Sequence, residues 1–320
     1  MVVITEEISQ AITVLNNDDI IGFPKETVYG LAGNIYSEKA IAKIFDIKKR
    51  PAFNPLIVHI KDVIALNKIA KNVPEKAMLL ASKFWPGPLT LLLEKKSTIP
   101  DVITAGKPTV AVRIPNHLLA LELLRAVDFP LAAPSANPFG RISPTTAQHV
   151  ANYFQDELKL VLDGGDCHNG LESTIVGFDD FGEAVIYRLG AISTEDIEGV
   201  VGKTTLRNKN EKSPEAPGMI GKHYSPRTKT MFLNAIDLKS DEFKNVKIGA
   251  LTFCTKLESE HIVHSEILSA KADLAEAAKN LYQALHQLDA MNLDLILVEK
   301  MQNKGLGLAI NDRLKRATNH

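Results

Sequence analysis

The stretch FPLAAPSANPFGRISPT, residues 129–145, runs from an apolar strand through a loop to the start of a helix. Its first six residues form a short apolar run, which is typical of a buried strand. Ser143 can cap a helix, and Pro144 suits the first helical position, where a missing N–H donor has no consequence. The sequence therefore predicts a helix that begins after Ser143, with PSANPFGRI as the connecting loop.

On both sides of this stretch, short apolar runs alternate with amphipathic segments through about residue 200. One helix is predicted between the cap Ser37 and Pro51, which prevents its continuation, so Lys48 and Arg50 fall at its C-terminal end. Apolar runs of strand length are IIGF (20–23), PLIVHI (55–60), LTLLLE (89–94), TVAVRIP (109–115), FPLAAP (129–134), LKLVLDG (158–164), STIVGF (173–178) and AVIYRLG (184–190). This alternation predicts a mixed α/β domain.

The length of 320 residues favours two domains, because a single hydrophobic core rarely grows beyond about 250–300 residues. Residues 203–229 are polar, rich in proline and glycine and without periodicity, as expected of a connection. Beyond them, KIGALTF (247–253) and LDLILVE (293–299) predict strands, and helical spacing predicts a helix through Leu274, Ala278, Leu281, Leu285 and Leu288. We expect a first domain over residues 1–203, a linker over 204–229 and a small α/β domain over 230–320.

Composition argues against several classes of protein. The chain has 37 Lys and Arg residues against 38 Asp and Glu residues, which gives no reason to expect binding to bulk nucleic acid or an anionic membrane. Cys167 and Cys254 lie far apart and outside any zinc-site spacing, which indicates a reducing compartment. The N-terminus lacks a signal-peptide pattern, and no apolar run reaches the ~20 residues of a membrane span. We expect a cytoplasmic protein without membrane contact.

Motifs for covalent catalysis or for a Walker phosphate loop are missing from the sequence. GKTT (202–205) resembles the end of such a loop, but Ile197 stands where the loop needs glycine. No G-x-S-x-G nucleophile elbow occurs. The H-x-x-H pattern lacks the glutamate of a metalloprotease, and no role is assigned to His261, His264 or His286. A nucleotide would need a phosphate-binding element other than a Walker loop. No metal ligands are predicted.

Cationic and polar side chains recur at the ends of predicted elements. They are Lys48, Arg50, Arg113 and Arg188, joined by Ser135, Asn137 and Ser173. In a strand of period two, Arg113 shares a face with Ala111, opposite Val110 and Val112. A cation in the last turn of a helix also gains ~0.3–1 kcal/mol from the helix dipole, and Ser or Asn often caps a turn. The residues alone therefore leave structural and functional roles open.

Nine segments occur in a specific order along the chain: PKETVYGLA (24–32), KKRPAFNPLIVHI (48–60), FWPGPLTLLL (84–93), VAVRIP (110–115), PLAAPSANPFGRISPT (130–145), GLESTIVGF (170–178), YRLGAI (187–192), APGMIGKHYSP (216–226) and GLGLAINDRLKRA (305–317). In this order they resemble the threonylcarbamoyl-AMP synthase family, in its longer two-domain form. The resemblance covers nearly the whole chain, and chance could hardly supply nine ordered segments.

The resemblance implies a twisted, open mixed α/β sheet with a concave, positively lined cleft, followed by a smaller Rossmann-like domain. It also implies the reaction: L-threonine and bicarbonate form a carbamate, whose oxygen attacks the α-phosphorus of ATP and displaces pyrophosphate. The product, threonylcarbamoyl-AMP, then serves tRNA modification through a downstream threonylcarbamoyl transferase. Weak contact with tRNA is expected at most. Mg²⁺ is the expected cofactor, held mainly by ATP.

The matching motifs carry the family's site residues onto this chain. ATP is expected at Lys48, Arg50, Ser135, Asn137, Ser143, Arg188, His223 and Tyr224. The last two lie on the linker, which is either a simple tether or a lid that closes over the cleft, and we expect the lid. Threonine and bicarbonate are expected at Thr27, Tyr29, His59, Arg113 and Ser173. No side-chain nucleophile is expected, because the threonine amine and the carbamate supply the attacking atoms.

Two residues depart from the family pattern. Lys25 stands where threonine is usual, and Gly177 follows STIV where aspartate is common. Lys25 either adds a cation to the rim of the cleft or points into solvent, and Gly177 affects a strand end. Both leave the principal motifs intact and put only the threonine pocket in doubt.

Two other functions are compatible with the same residues. An RNA-binding module without catalysis would use a basic concavity, but the nearly neutral net charge argues against strong nonspecific binding. A carbamoyl-transfer enzyme, like the hydrogenase-maturation proteins that contain a similar domain, would also carry acylphosphatase and zinc-finger segments. Neither segment is visible in this sequence.

Overall fold

The computed structural model describes residues 2–208, 214–219, 223–235, 238, 243 and 245–318. Residues 209–213 and 220–222 of the predicted linker lie outside this part of the chain. Within the described residues, eleven strands join in one mixed sheet and four strands join in a second sheet. The predicted α/β class is confirmed.

The first sheet contains every strand predicted before residue 200. Its members are β1 (Val3–Thr5), β2 (Ile21–Phe23), β3 (Gly30–Asn34), β4 (Ile57–His59), β5 (Leu89–Glu94), β6 (Thr109–Arg113), β7 (Leu131–Ala132), β8 (Leu160–Leu162), β9 (Thr174–Phe178), β10 (Ala184–Arg188) and β11 (Thr205–Leu206). Their order is β1-β8-β2-β3-β7-β4-β6-β5-β9-β10-β11, with parallel and antiparallel neighbours. The sequence predicts none of β1, β3 and β11, since β3 contains two glycines and the other two are very short.

Helices cover both faces of this sheet. They are α1 (Ile8–Asn16), α2 (Glu38–Lys48), α3 (Val63–Ile69), α4 (Glu75–Phe84), α5 (Asp101–Thr104), α6 (Leu118–Ala126), α7 (Ala147–Tyr153) and α8 (Thr194–Val201). Along β8, Leu160 and Leu162 join the apolar cluster of α1 and α6, while Val161 joins the larger cluster of α2 and α7. This period of two places the clusters on opposite faces. No helix of the described residues is long and apolar enough to cross a membrane.

The second sheet is parallel throughout and belongs to a smaller domain. Its order is β12 (Lys229–Phe232), β15 (Leu295–Val298), β13 (Ile248–Thr252) and β14 (Ile262–Ile267). Two helices accompany it, α9 (Leu274–Asp289) and α10 (Leu306–Ala317). Asp273 caps α9 by accepting a hydrogen bond from the Glu276 N–H at 2.7 Å. A parallel sheet with α9 between β14 and β15 and α10 after β15 fits the Rossmann-like domain that the sequence leads us to expect.

The helix predicted after Ser143 has the wrong start. α7 begins at Ala147, and its cap is Thr146, whose hydroxyl accepts from the His149 N–H at 3.1 Å. Ser143 is buried and donates instead to Oε1 of Glu172 at 2.6 Å. A serine before a proline carries the local signal of a cap, but here a distant carboxylate takes the hydroxyl.

A buried ion pair joins the two domains. Glu172, in the loop before β9, accepts a hydrogen bond from Nε of Arg313 on α10 at 2.9 Å. The same carboxylate accepts from the Tyr282 hydroxyl of α9 at 2.9 Å. Arg313 also donates from Nη2 to the Leu189 carbonyl at 2.8 Å, and its side chain is 1% exposed. Charged hydrogen bonds therefore fix the second domain against the first.

Replacing Arg313 by methionine should lower the free energy of unfolding by about 3–5 kcal/mol, because Glu172 then keeps a buried charge without its partner. Chemical denaturation followed by circular dichroism measures the change. The matched control is Lys71→Met, which removes a half-exposed ion pair with Glu94 and should leave the midpoint nearly unchanged. Equal effects of the two substitutions would contradict the role given to the buried pair.

Candidate functional site

The linker covers one face of the first sheet. Ala111 of β6, Ile57 and Ile175 form an apolar cluster apart from the main core, and Ala216 and Met219 of the linker pack on it. A cavity of about 40 Å³ lies beneath this cover, which is room for a few water molecules. The face that carries Ala111 is therefore a closed cleft.

Most of the residues predicted for the site meet at this cavity. Those that line it are Thr27, Arg50, His59, Arg113, Ser135, Ser173, Arg188, His223 and Tyr224. The other four predicted residues are buried in the neighbouring structure without lining it, namely Tyr29, Lys48, Asn137 and Ser143. Of these, Tyr29 donates from its hydroxyl to the Gly165 carbonyl at 2.8 Å.

Arg113 is a rigidly held cation at the end of β6, and it is 2% exposed. Its Nη1 donates to Oγ1 of Thr27 at 3.0 Å, and its Nε donates to the Gly87 carbonyl at 3.1 Å. Nη2 lies 2.7 Å from Oε1 of Glu26. A planar guanidinium fixed in this way suits recognition of a carboxylate.

Arg188, at the end of β10, links the sheet to the linker. Its Nε donates to the Ser173 carbonyl at 3.0 Å, and Nη2 donates to Oγ of Ser173 at 2.9 Å. Nη1 donates to the Pro217 carbonyl at 3.4 Å. Gly218 has a φ of 90°, and a Cβ at this position would lie 2.8 Å from Cδ of Arg188. The close approach of the linker therefore requires glycine.

The end of α2 directs two cations toward the PSAN loop. Lys49 adopts the left-handed conformation, with a φ of 51°, and ends the helix. Lys48 donates from Nζ to the main-chain carbonyls of Ser135, at 2.6 Å, and Asn137. Arg50 lines the cavity beside that loop. Sequence reasoning groups these residues correctly, although Lys48 reaches the loop backbone and does not line the cavity.

The linker residues are held in place by both domains. The ring of Tyr224 stacks on Tyr282 with centroids 5.8 Å apart, and Cζ of Arg313 lies 4.8 Å from the Tyr224 ring centre. His223 meets the ring of Phe139 edge-on at 5.8 Å. Tyr224 has a φ of 63°, a conformation that costs a bulky residue on the order of 1–3 kcal/mol. These contacts must therefore stabilise a strained linker over the cavity.

Positive charge exceeds negative charge in the cavity wall. Among its described residues the carboxylate is Glu172, the permanent cations are Arg50, Arg113 and Arg188, and Lys25 adds a basic amine. Burial, and then repulsion by Arg188, lowers the pKa of Arg50 to about 9. Burial, followed by Lys25 and Arg113, lowers the pKa of His59 well below its usual range, so this imidazole is neutral. Such a cavity favours a bound polyanion.

Glu172 is a site residue that sequence reasoning missed. Burial by itself would raise its pKa, but Arg313, Arg188 and the hydrogen bond from Ser143 outweigh burial and lower the pKa to about 2. The sequence offered one indication of its role, namely that this carboxylate directly precedes Ser173, a residue predicted for the site. Its main partner, Arg313, lies 141 residues away, so no local pattern could reveal the pair.

The two departures from the family pattern occupy different places. Lys25 is 4% exposed and lines the cavity, so the expectation that it points into solvent is wrong. Gly177 lies within β9 and pairs with Val185 of β10. A Cβ on Gly177 would lie 2.8 Å from the ring of Tyr187. Lys25 therefore belongs to the site, whereas Gly177 makes room for a packed ring.

Two family models match the chain in succession. The model described as "Telomere recombination" matches residues 13–190, and the model described as "Threonylcarbamoyl-AMP synthase, C-terminal domain" matches residues 192–319. The boundary between them precedes α8, which packs on α4 of the first domain. The domain limit at residue 203 stays a prediction.

Relatives match this chain over nearly their full length. The threonylcarbamoyl-AMP synthase of Pyrococcus abyssi is 40% identical over 313 residues, covering 94% of this chain and 91% of that protein. The threonylcarbamoyl-AMP synthase of Bacillus subtilis is 39% identical over 323 residues, covering 97% and 92%. A crystal structure of P. abyssi Sua5 complexed with L-threonine superposes with a TM-score of 0.90 at 37% identity, covering 99% of this chain and 97% of that one.

The low pKa of Glu172 predicts a specific loss of stability in acid. The unfolded carboxyl binds its proton near pH 4.5, whereas the folded one does so near 2. Its contribution, roughly 3 kcal/mol, is therefore complete above pH 4.5 and is lost as the pH falls toward 2. Unfolding free energies of the wild type and Glu172→Gln should converge over this range. Parallel curves from pH 5 to 2 would contradict the assignment.

Proposed function

The chain belongs to the threonylcarbamoyl-AMP synthase family, and we propose that its closed cleft condenses L-threonine, bicarbonate and ATP into threonylcarbamoyl-AMP and pyrophosphate. The names of its full-length relatives support the reaction, and the P. abyssi structure with L-threonine supports the amino-acid substrate. The convergence of three arginines in one cavity, Arg50, Arg113 and Arg188, carries the placement of the reaction. The same comparisons favour synthesis over an RNA-binding module or a carbamoyl-transfer enzyme.

The reaction proceeds in two displacements. The threonine amine attacks the carbon of bicarbonate, water leaves, and a carbamate results. A carbamate oxygen then attacks the α-phosphorus of ATP, the bond to the β-phosphate oxygen breaks, and pyrophosphate departs. The substrates provide both nucleophiles, so the protein acts by positioning them and by screening their charges.

Fixed positive groups offset the electrostatic repulsion between the anionic substrates. In this proposal Arg50 and Arg188 bind the ATP phosphates, and Arg113 binds the threonine carboxylate in the corner that it forms with Thr27 and Glu26. Preorganised charges of this kind stabilise the charge that develops on the leaving group without reorganisation. The predicted residues that do not line the cavity support its walls: Tyr29, Lys48, Asn137 and Ser143.

Mg²⁺ enters the proposal through the nucleotide. Among the described residues, no group of three or more His, Cys, Asp or Glu side chains could hold a metal ion. The carboxylates near the cavity are already paired, Glu172 with Arg313 and Glu26 with Arg113. Phosphate oxygens are ligands that Mg²⁺ prefers. Bound with ATP, the ion would neutralise charge on the triphosphate.

We propose that the linker around His223 and Tyr224 is a lid. The cavity beneath it measures about 40 Å³, whereas sites for ligands of drug size occupy ~300–1,000 Å³. The linker must therefore move before ATP can enter. The hydrogen bond from Arg188 to the Pro217 carbonyl is long, at 3.4 Å, and the backbone of Tyr224 is strained. Both features lower the free energy that the linker needs to open. Closure then keeps water from a labile adenylate.

The product implies a downstream partner, a tRNA threonylcarbamoyl transferase that consumes the adenylate. A net charge of −1 supports no more than weak contact with tRNA itself. Cys167 and Cys254 are free thiols, which fits a cytoplasmic protein.

The proposed function is tested by incubation with ATP, Mg²⁺, bicarbonate and L-threonine, and by omission of each in turn. Mass spectrometry should detect threonylcarbamoyl-AMP, together with pyrophosphate, only in the complete mixture. Arg50→Ala should lower kcat/KM for ATP at least about tenfold, because a charged phosphate contact is lost, while circular dichroism shows a native fold. Adenylate that forms without threonine would sink the proposal.

The lid is tested with the double variant His223→Ala and Tyr224→Ala. Bound threonylcarbamoyl-AMP should hydrolyse faster, and AMP release without adenylate accumulation should rise, because water reaches the open site. Single-turnover quenching measures the lifetime of the intermediate. Phe181→Ala is the matched control, since that ring is 91% exposed and does not line the cavity. An unchanged lifetime in the double variant would refute the lid.

A further inference from the structure

Lys25 has unusual surroundings for a lysine. Its side chain is buried in the cavity wall, and its Nζ donates a hydrogen bond to the neutral Ala133 carbonyl at 3.0 Å. Glu26, the adjacent carboxylate, pairs with Arg113 instead. Gly30 makes the position available, because a Cβ there would lie 2.5 Å from the lysine Nζ. The absence of a side chain at Gly30 therefore leaves room for the Lys25 amine inside the cleft.

The environment of Lys25 opposes its charged form. The groups that face it are Arg113 on β6, Arg188 on β10, Lys48 on α2, neutral His59 on β4, and Glu26 and Cys167 from loops. Burial first, and repulsion by Arg113 second, outweigh the attraction of Glu26 and lower the pKa of Lys25 to about 7. Near neutral pH, much of the protein thus carries an uncharged amine with a free lone pair.

The proposed reaction needs a base that the residues assigned so far do not supply. Threonine arrives largely as an ammonium ion, which has no lone pair with which to attack bicarbonate. The arginines of the cavity stay protonated, and hydroxyl groups are weak bases. The imidazole of His59 is also a poor base, because its pKa lies well below its usual range. Burial also lowers the pKa of Lys48, but that amine does not line the cavity and donates to the Ser135 and Asn137 carbonyls. Lys25 is therefore the amine of the cavity wall that can accept a proton near neutral pH.

We infer that Lys25 is the general base that takes a proton from the ammonium group of the threonine substrate. This role rests on the proposed function of the cleft. Arg113 and Lys25 line the same cavity, so a threonine whose carboxylate pairs with Arg113 has Lys25 in the wall of the same cavity. A base within hydrogen-bonding reach of the amine acts without a relay.

The proton and electron pairs balance in this step. The lone pair of Nζ takes one proton, the substrate N–H bond breaks, and its electron pair stays on nitrogen. That pair forms the bond to the bicarbonate carbon. A second proton of the substrate nitrogen passes to the bicarbonate hydroxyl, the C–O bond to that hydroxyl breaks, and water leaves with the carbamate as product. Protonated Lys25 then faces a new anion, which offsets the cost of a buried ammonium group. Release of the product returns the proton to solvent.

The test is the pH dependence of kcat/KM for threonine in the wild type, Lys25→Thr and Lys25→Met. The wild-type value should rise with pH through about 7, where Lys25 loses its proton. At pH 7, kcat/KM for threonine should be about 10²-fold lower, or more, in both variants than in the wild type. The difference in kcat/KM between the variants and the wild type should become smaller at higher pH, because the threonine amine then loses its proton to solvent without a base from the protein. Lys61→Thr, at an exposed lysine, should match the wild type.

NMR titration of ¹³C-labelled lysine in the folded protein gives an independent measure, with the Lys25 signal assigned by its loss in Lys25→Met. A signal that titrates near 7 supports the proposal, and one that titrates near the ordinary value of 10.5 overturns it. Variants with the wild-type pH profile would also overturn it. In that case the wild type still makes the adenylate, whereas failure of the proposed function would leave every protein without product.

Discussion

The ion pair between Glu172 and Arg313 is the interaction on which the closed cleft depends. Two charges withdrawn from water are tolerated only when their hydrogen-bonding capacity is filled. Here Ser143, Tyr282 and Arg313 donate to the carboxylate, and Arg313 also reaches the Leu189 carbonyl. The donors come from both domains. Their mutual position is thereby fixed at the wall of the cavity, because Glu172 lines it.

This anchor explains how a strained linker can cover the site. Tyr224 contacts both Tyr282 and Arg313, so the side chains that bind Glu172 also hold the linker. The cavity cations follow a second rule. Arg50 and Arg188 both line the cavity and donate to main-chain carbonyls. Neutral acceptors satisfy the hydrogen bonds of a cation but leave its charge uncompensated, so that charge remains available to a polyanion.

Periodicity and capping predicted the regular elements well where local forces decide them. Ser37 caps α2 by accepting from the Ala40 N–H at 3.2 Å, and Lys48 lies in its last turn, as its sequence predicts. Prediction failed where a distant group changed the outcome. Ser143 gives its hydroxyl to Glu172, so α7 starts later, at Ala147. β3 was missed for a different reason, since its glycine-rich strand is stabilised by pairing with β2 and β7 rather than by propensity.

The sequence by itself determined the α/β class, the family through nine ordered motifs, and nine of the residues that line the cavity. The order of the motifs and the local periodicity depend on the amino-acid sequence alone and do not depend on how the chain packs. Only the tertiary structure decided that Glu172 pairs with Arg313, that the linker lies over Ala111, and that Lys25 is buried where desolvation and nearby cations outweigh the attraction of Glu26. Burial and charge compensation arise when segments far apart in sequence pack together. The chemistry of Lys25 is therefore a property of the folded protein.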